Sequence, residues 1–242
     1  MGFLIGAIKI IFVLGFLIFV HECGHFFMAK AFKIKVREFS LGFGPLIKCK
    51  NSKGTKYSLR AVPFGGYVDM VGETERKDEP GAFNKASILT RVAILAGGSL
   101  VNIILGIGIY FILAIIATDL THAFTATGNF LVALIDSLRL LFTGNIQVDQ
   151  MVGPIGISEI VVQSSGLFNF VYLFSVISIS LGITNLLPFP ALDGGRIILL
   201  VLEAIRRKPL SEKIEMTINS LGFTFLILLS IYISYNDVLR II

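Results

Sequence analysis

Four long apolar stretches separated by polar segments set the architecture of this chain. The first, from about residue 3 to about 30, carries a single charge, Lys9, before residue 21. About 28 residues of helix reach ~42 Å, more than the ~30 Å of a hydrocarbon core. Further spans are expected at about 92–117, 167–202 and 214–235. The third is too long for one straight crossing, and Pro188 and Pro190 break it, since proline removes a donor and clashes with the preceding turn. Between the first two spans the alternation of residues changes to that of strands at Val36–Leu41 and Tyr57–Val62, with a hairpin turn at Asn51-Ser52-Lys53-Gly54. This β region, about 34–72, leads into a polar connection at 73–85, expected to be flexible. Residues 118–166 hold a helical repeat of apolar positions at Phe130–Phe142 and a turn or helix start at Gly153-Pro154. The expected fold is an all-α polytopic membrane protein, one domain of four transmembrane helices with a small membrane-associated β-hairpin or sheet element on the cytoplasmic side.

Composition agrees with lipid as the solvent. Of 242 residues, 55% are hydrophobic and 15% charged, and a mean hydropathy of +0.84 excludes an ordinary soluble domain. The net charge of +5 would suit nucleic acid, but its distribution points to the bilayer and to no nucleic-acid partner. Residues 30–91 carry thirteen Lys and Arg and residues 206–213 four more, together 17 of the 21. By the positive-inside rule both segments are cytoplasmic and both termini extracytoplasmic. The apolar start has no basic n-region and no small-residue cleavage site, so it reads as a first transmembrane helix. Cys23 and Cys49 form no disulfide framework.

Chemistry enters with His21-Glu22-Cys23-Gly24-His25 near the end of the first span. Imidazoles four residues apart share a helix face and can hold one zinc ion, with Glu22 beside them as general base. Ionisable groups in a membrane segment are costly and mark function. The motif alone is short enough to recur by chance, and it leaves a metal transporter or a non-catalytic zinc-binding scaffold open. The broken third span supplies Asp193 about nine residues before its cytoplasmic end, at a depth similar to the histidines. His21, His25 and Asp193 thus provide three ligands, the number that catalytic zinc sites take from protein. Three histidines in all, with no internal repeat, count against a transporter. Gly42-Phe43-Gly44-Pro45 and Pro63-Phe64-Gly65-Gly66-Tyr67-Val68 are too apolar for a free loop and are expected to dip into the membrane beside the metal. There a β edge including Phe43, Gly44, Phe64, Gly65 and Gly66 would hold an extended substrate by strand addition.

His21-Glu22-Cys23-Gly24-His25, together with Asn185-Leu186-Leu187-Pro188-Phe189-Pro190-Ala191-Leu192-Asp193-Gly194-Gly195, resembles the site-2 proteases, intramembrane zinc metalloproteases. The glycine-aromatic segments are similar to the membrane-embedded β region of the bacterial branch that acts in regulated intramembrane proteolysis. The resemblance implies a multi-pass protein of the bacterial cytoplasmic membrane with its active site near the cytoplasmic side. Its substrates would be single-pass transmembrane proteins such as anti-sigma factors or remnant signal peptides, and Asn185 would hold the substrate backbone or the developing oxyanion. Many relatives in that branch carry a PDZ domain between the second and third core helices, and the 49 residues from Thr118 to Gly166 are too few for the ~80–100 of such a domain. Ser99 stands where some relatives have proline.

Overall fold

The computed structural model describes residues 2–143, 153–164 and 166–241. Its elements run α1 (Gly2–Ala31), β1 (Val36–Ser52), β2 (Thr55–Met70), a short 3-10 turn (Phe83–Lys85), α2 (Ile88–Ala117), α3 (Leu120–Phe142), α4 (Pro154–Gln163), α5 (Gly166–Leu186), α6 (Asp193–Arg206) and α7 (Glu212–Ile241). Among the described residues, four helical stretches are long and apolar enough to cross a membrane: Ile8–Ala31, Ile88–Ala117, Gly166–Leu186 and Glu212–Arg240. This is a multi-pass membrane protein with one small sheet. Exposed Ile104, Ile112 and Ile116 on α2, and Phe223, Leu228 and Ile231 on α7, are the side chains such spans turn to lipid.

The residues group into two compact units. One comprises Met1–Ile10, Ile104–Ile179 and Phe225–Ile242. In it Tyr110 stacks on Phe130 with ring centroids 4.2 Å apart. Asp237 on α7, 2% exposed, accepts hydrogen bonds from the backbone N–H of Gly153 (3.0 Å) and Gly156 (2.9 Å). The start of a helix leaves such donors without intrahelical partners, and a distant carboxylate supplies the acceptor here. The apolar repeat noted at 130–142 belongs to a longer helix, α3, whose first turn holds His122 against Asp119 (2.7 Å).

The other unit comprises Ile11–Ile103 and Ser180–Thr224 and holds the β region. β1 and β2 pair in a two-stranded antiparallel sheet. Both are longer than the alternation of residues marks, because glycines at 42, 44 and 65, all at positive φ, bend the strands rather than end them. Residues 38–41 face two parts of β2, Glu38 being opposite both Asp69 and Lys56 and Leu41 opposite both Gly66 and Leu59. The hairpin closes through Lys53 (φ 48°) and Gly54 (φ 76°), with Ser52 opposite Thr55. Two successive positive φ values are what a tight hairpin with right-handed strand twist requires. Beneath the sheet a core of Phe26, Ala29, Ile34, Val36, Met70, Phe83, Ile94, Leu95 and Leu200 joins the end of α1 to the starts of α2 and α6. The connection at 73–85 is therefore pinned: Phe83 is 5% exposed, its N–H donates to Val71 O (2.7 Å), and Asn84 bonds the Lys77 backbone.

Within lipid, apolar side chains gain little by leaving their solvent, so close helix contact depends on small residues. α1 meets α2 at Gly24 and Gly97, where a Cβ on Gly24 would lie 2.4 Å from Gly97 O. Nearby, Arg91 of α2 pairs with Glu203 of α6 at 2.7 Å, both largely buried. Replacing Gly24 by Ala is expected to part these helices and to lower stability by about 1–3 kcal/mol, read as a fall in the thermal unfolding temperature of the purified protein in detergent.

Glu38 gives the sheet a pH dependence. Burial raises its pKa, but hydrogen bonds from Ser58, Arg60 and Tyr67 outweigh that and bring the carboxyl from its ordinary 4.5 down to about 2. The folded form thus binds this proton less tightly than the unfolded chain does. The stability contributed by Glu38 is complete above pH 4.5 and is lost as the pH falls from 4.5 toward 2. Glu38→Gln is expected to remove that component, so the difference in unfolding temperature between parent and variant shrinks across the same window.

Candidate metal centre

α1 continues unbroken through residue 31, so His21 and His25 fall on one face with ring centroids 4.7 Å apart. Both are 7% exposed. Asp193 comes from the break in the third apolar stretch. There α5 ends at Leu186, the 187–192 segment turns with Ala191 at φ 74°, and α6 begins on Asp193 itself. A carboxylate in the first turn sits at the positive end of the helix dipole. His21 Nε2 lies 2.9 Å and His25 Nε2 3.3 Å from Asp193 Oδ2, the two Nε2 atoms are 3.1 Å apart, and the three donor atoms all lie within 4.8 Å of one another.

The protonation pattern of this cluster tests its fitness for a metal. His25 Nδ1 is 2.9 Å from Ile94 O, and a carbonyl oxygen only accepts, so Nδ1 carries the proton and the Nε2 lone pair faces inward. A second imidazole nitrogen and a carboxylate oxygen converge on the same point. Three acceptor atoms so close repel one another unless a cation or protons lie between them. Two nitrogens and one oxygen are a donor set that zinc accepts, and a carbonyl behind a ligating imidazole is the support such ligands usually have. Room for the cluster comes from Gly98 of α2, where a Cβ would stand 2.5 Å from His25 Nε2 and 2.8 Å from His21 Nε2.

Glu22 points elsewhere. Its carboxylate lies near the backbone N–H of Val68 on β2 and within electrostatic reach of His25, Asp193 and Glu73. With His25, Asp193, Val68, Glu73 and Arg196 it lines a cavity of about 190 Å³. The residues expected in the site are not all here. Asn185 is half-buried in the last turn of α5 and is not among the residues lining this cavity. Phe43, 45% exposed, stacks on Tyr67 at 6.1 Å, and Gly44 follows it on β1. Gly65 and Gly66 lie on β2 just before Tyr67 and Val68, which do line the cavity. Phe64 also lies on β2, and its side chain is outside the described part of the structure. Sequence reasoning missed the Ile94 carbonyl and the Val68 N–H, which are backbone groups with no residue-type signal. It also missed the need for Gly98, and the places of Glu73 and Arg196 in the cavity wall.

Fold and site together define a class: a multi-pass membrane protein with a candidate His–His–Asp metal centre and an adjoining carboxylate. Residues 9–229 match Peptidase family M50, and the chain belongs to that family. A zinc metalloprotease of Fusobacterium nucleatum is 28% identical over 342 aligned positions, covering 100% of this chain and 99% of that protein. Since this chain has 242 residues, about a hundred positions of that relative have no counterpart here. The zinc metalloprotease RasP of Bacillus licheniformis is 38% identical over 128 positions, 52% of this chain and 30% of that protein. The regulator of sigma-W protease RasP of Bacillus subtilis is 37% identical over the same length and shares.

Gly98→Ala is expected to push the imidazoles apart and to lower zinc affinity by about 10-fold or more, the scale seen when groups around a metal site are disturbed. Metal analysis of the purified variant beside the parent, after dialysis against a graded series of free zinc concentrations, checks this.

Proposed function

We propose that this chain is an intramembrane zinc metalloendopeptidase that cleaves peptide bonds within transmembrane segments of single-pass membrane proteins. The observation that carries the reading is the convergence of His21, His25 and Asp193, with Glu22 left out of the cluster but in the same cavity. His21 Nε2, His25 Nε2 and an Asp193 carboxylate oxygen would hold the metal. When bound, zinc supplies Lewis-acid activation of water and of the peptide carbonyl.

The other work falls to the protein. Glu22 takes the proton of the attacking water on a carboxylate oxygen and returns it to the leaving amide nitrogen. Val68 shares the cavity wall with Glu22 and marks the side where β2 runs. Ile94 O keeps His25 in the tautomer that presents Nε2. A transmembrane helix hides its own peptide groups and must unwind before attack. Residues 66–70 pair with β1 on one side only, which leaves an edge along which an extended segment can add as a strand. Asn185, at the end of α5, would steady that segment or the oxyanion if the 187–192 turn carries it inward. The excess of basic residues at 30–91 and 206–213 supports a cytoplasmic position for the β region and for the centre, in a bacterial cytoplasmic membrane. The Bacillus subtilis relative is named as a regulator of sigma-W, and that name supports a substrate within a sigma-factor control pathway.

Purified protein with zinc is expected to cleave a transmembrane peptide carrying a helix-breaking centre, to stop on chelation, and to recover on return of zinc. Glu22→Gln should retain zinc and lose cleavage by about 10²–10⁴-fold, the usual worth of a general acid–base. Unchanged cleavage by a folded Glu22→Gln protein would remove the general-base role, and zinc binding without any cleavage by the parent would favour a non-catalytic scaffold.

A further inference from the structure

Arg196 follows Asp193 by three residues, one turn along α6. Its Nη1 donates to Glu73 Oε1 at 2.6 Å, and the two side chains are only 23% and 14% exposed. Glu73 stands just past the end of β2, in a turn held by its own N–H to Met70 O (3.3 Å) and by Val71 N–H to Lys35 O (2.9 Å). The pair therefore links the strand that carries Val68 to the helix that carries Asp193. Both residues line the 190 Å³ cavity of the metal centre and also a second cavity of about 490 Å³ that faces Asn219 and Ser220 of α7, so they form the wall common to the two. Arg196 is the cation that Glu73, Asp193 and Glu215 act upon, and Glu73 in turn acts on Glu22.

Stability does not account for this pair. Burying two charges costs several kcal/mol per ion, and replacing such a pair with apolar residues is often neutral or favourable. Its location accounts for it better. Glu73 follows Val68 by five positions and Arg196 follows Asp193 by three, so a shift at the pair passes at short range to both sides of the cavity.

We propose that Glu73 and Arg196 are a positioning pair for peptide hydrolysis: they set the placing of the 66–70 edge, and of a substrate backbone held along it, relative to Glu22 and the metal residues. The proposal rests on the metallopeptidase reading above. Neither residue touches the reacting atoms, and the pair acts on the chemical step rather than on metal retention.

The test uses the full chain in detergent with zinc and compares Glu73→Gln, Arg196→Met, Arg196→Lys and the double variant Glu73→Gln/Arg196→Met, with kcat, KM, zinc content and thermal unfolding measured for each. Glu73→Gln and Arg196→Met are expected to lower kcat by about 10–100-fold, as misplacement of a reacting group by ~1 Å does, with zinc content unchanged. Arg196→Lys keeps a cation opposite a single carboxylate oxygen and should retain most of kcat. The double variant leaves no unpaired buried charge, so it should regain the unfolding temperature of the parent without regaining kcat. Recovery of kcat in the double variant would reduce the pair to a structural role and overturn the proposal. So would loss of zinc from either single variant, full activity in both, or a fall in Arg196→Lys equal to that in Arg196→Met. Glu22→Gln run alongside separates the two levels: if it still cleaves, the metallopeptidase reading fails, and if it is inactive while the pair variants are normal, only the positioning role fails.

Discussion

Three electron-pair donors brought together within a membrane-spanning protein have to be compensated, and the fold around His21, His25 and Asp193 is arranged around that requirement. Neither water nor counter-ions are at hand in hydrocarbon, so charge must be met by a cation held in place or by paired residues. The residues fit the metal ion proposed for them: one imidazole is fixed by a backbone carbonyl, the carboxylate sits at the start of a helix, and no Cβ stands at residue 98. Close by, two buried ion pairs balance their own charges. Glu73 meets Arg196 and Arg91 meets Glu203, both pairs largely buried.

The same environment explains why glycine bears so much of the packing. Between helices in lipid there is no water to expel, and contact energy comes from how closely backbones approach. Gly24 against Gly97 lets α1 lie on α2 at a distance that any side chain would increase, and that distance sets where Ile94 O and Gly98 stand relative to the histidines. Packing and chemistry are thus one constraint at this crossing. A change at this helix contact therefore acts on the two imidazoles as well.

The sheet meets a different need. Its long, bent strands bring a backbone edge beside a carboxylate, and the Glu38 network with Ser58 and Arg60 gives the apolar, glycine-rich strands a rigid polar anchor. The buried Phe83 turn and the Glu73–Arg196 pair then hold the end of β2 against the helical part of the same unit. In the proposed function, support of this kind would keep an extended substrate in place while Glu22 moves a proton.

Much of this was legible in the sequence because lipid imposes strong local rules. The number of long apolar helices follows from bilayer thickness, the break after α5 from Pro188 and Pro190, and the pairing of His21 with His25 from helical periodicity. Asp193 could be matched in depth to the histidines by counting along two spans. Other features lay beyond such counting. Strand lengths were underestimated because Gly42, Gly44 and Gly65 punctuate a sequence even where they only bend a strand. The 73–85 connection read as flexible because burial of Phe83 depends on a core assembled from four distant segments. Sequence by itself determined a membrane protein of four spans with a histidine motif and a distant aspartate. Only the folded arrangement settled that Ile94 O fixes His25, that Gly98 makes room for the imidazoles, and that Glu73 faces Arg196. Those are contacts through space between segments far apart in the chain, several of them made by main-chain atoms that every residue shares.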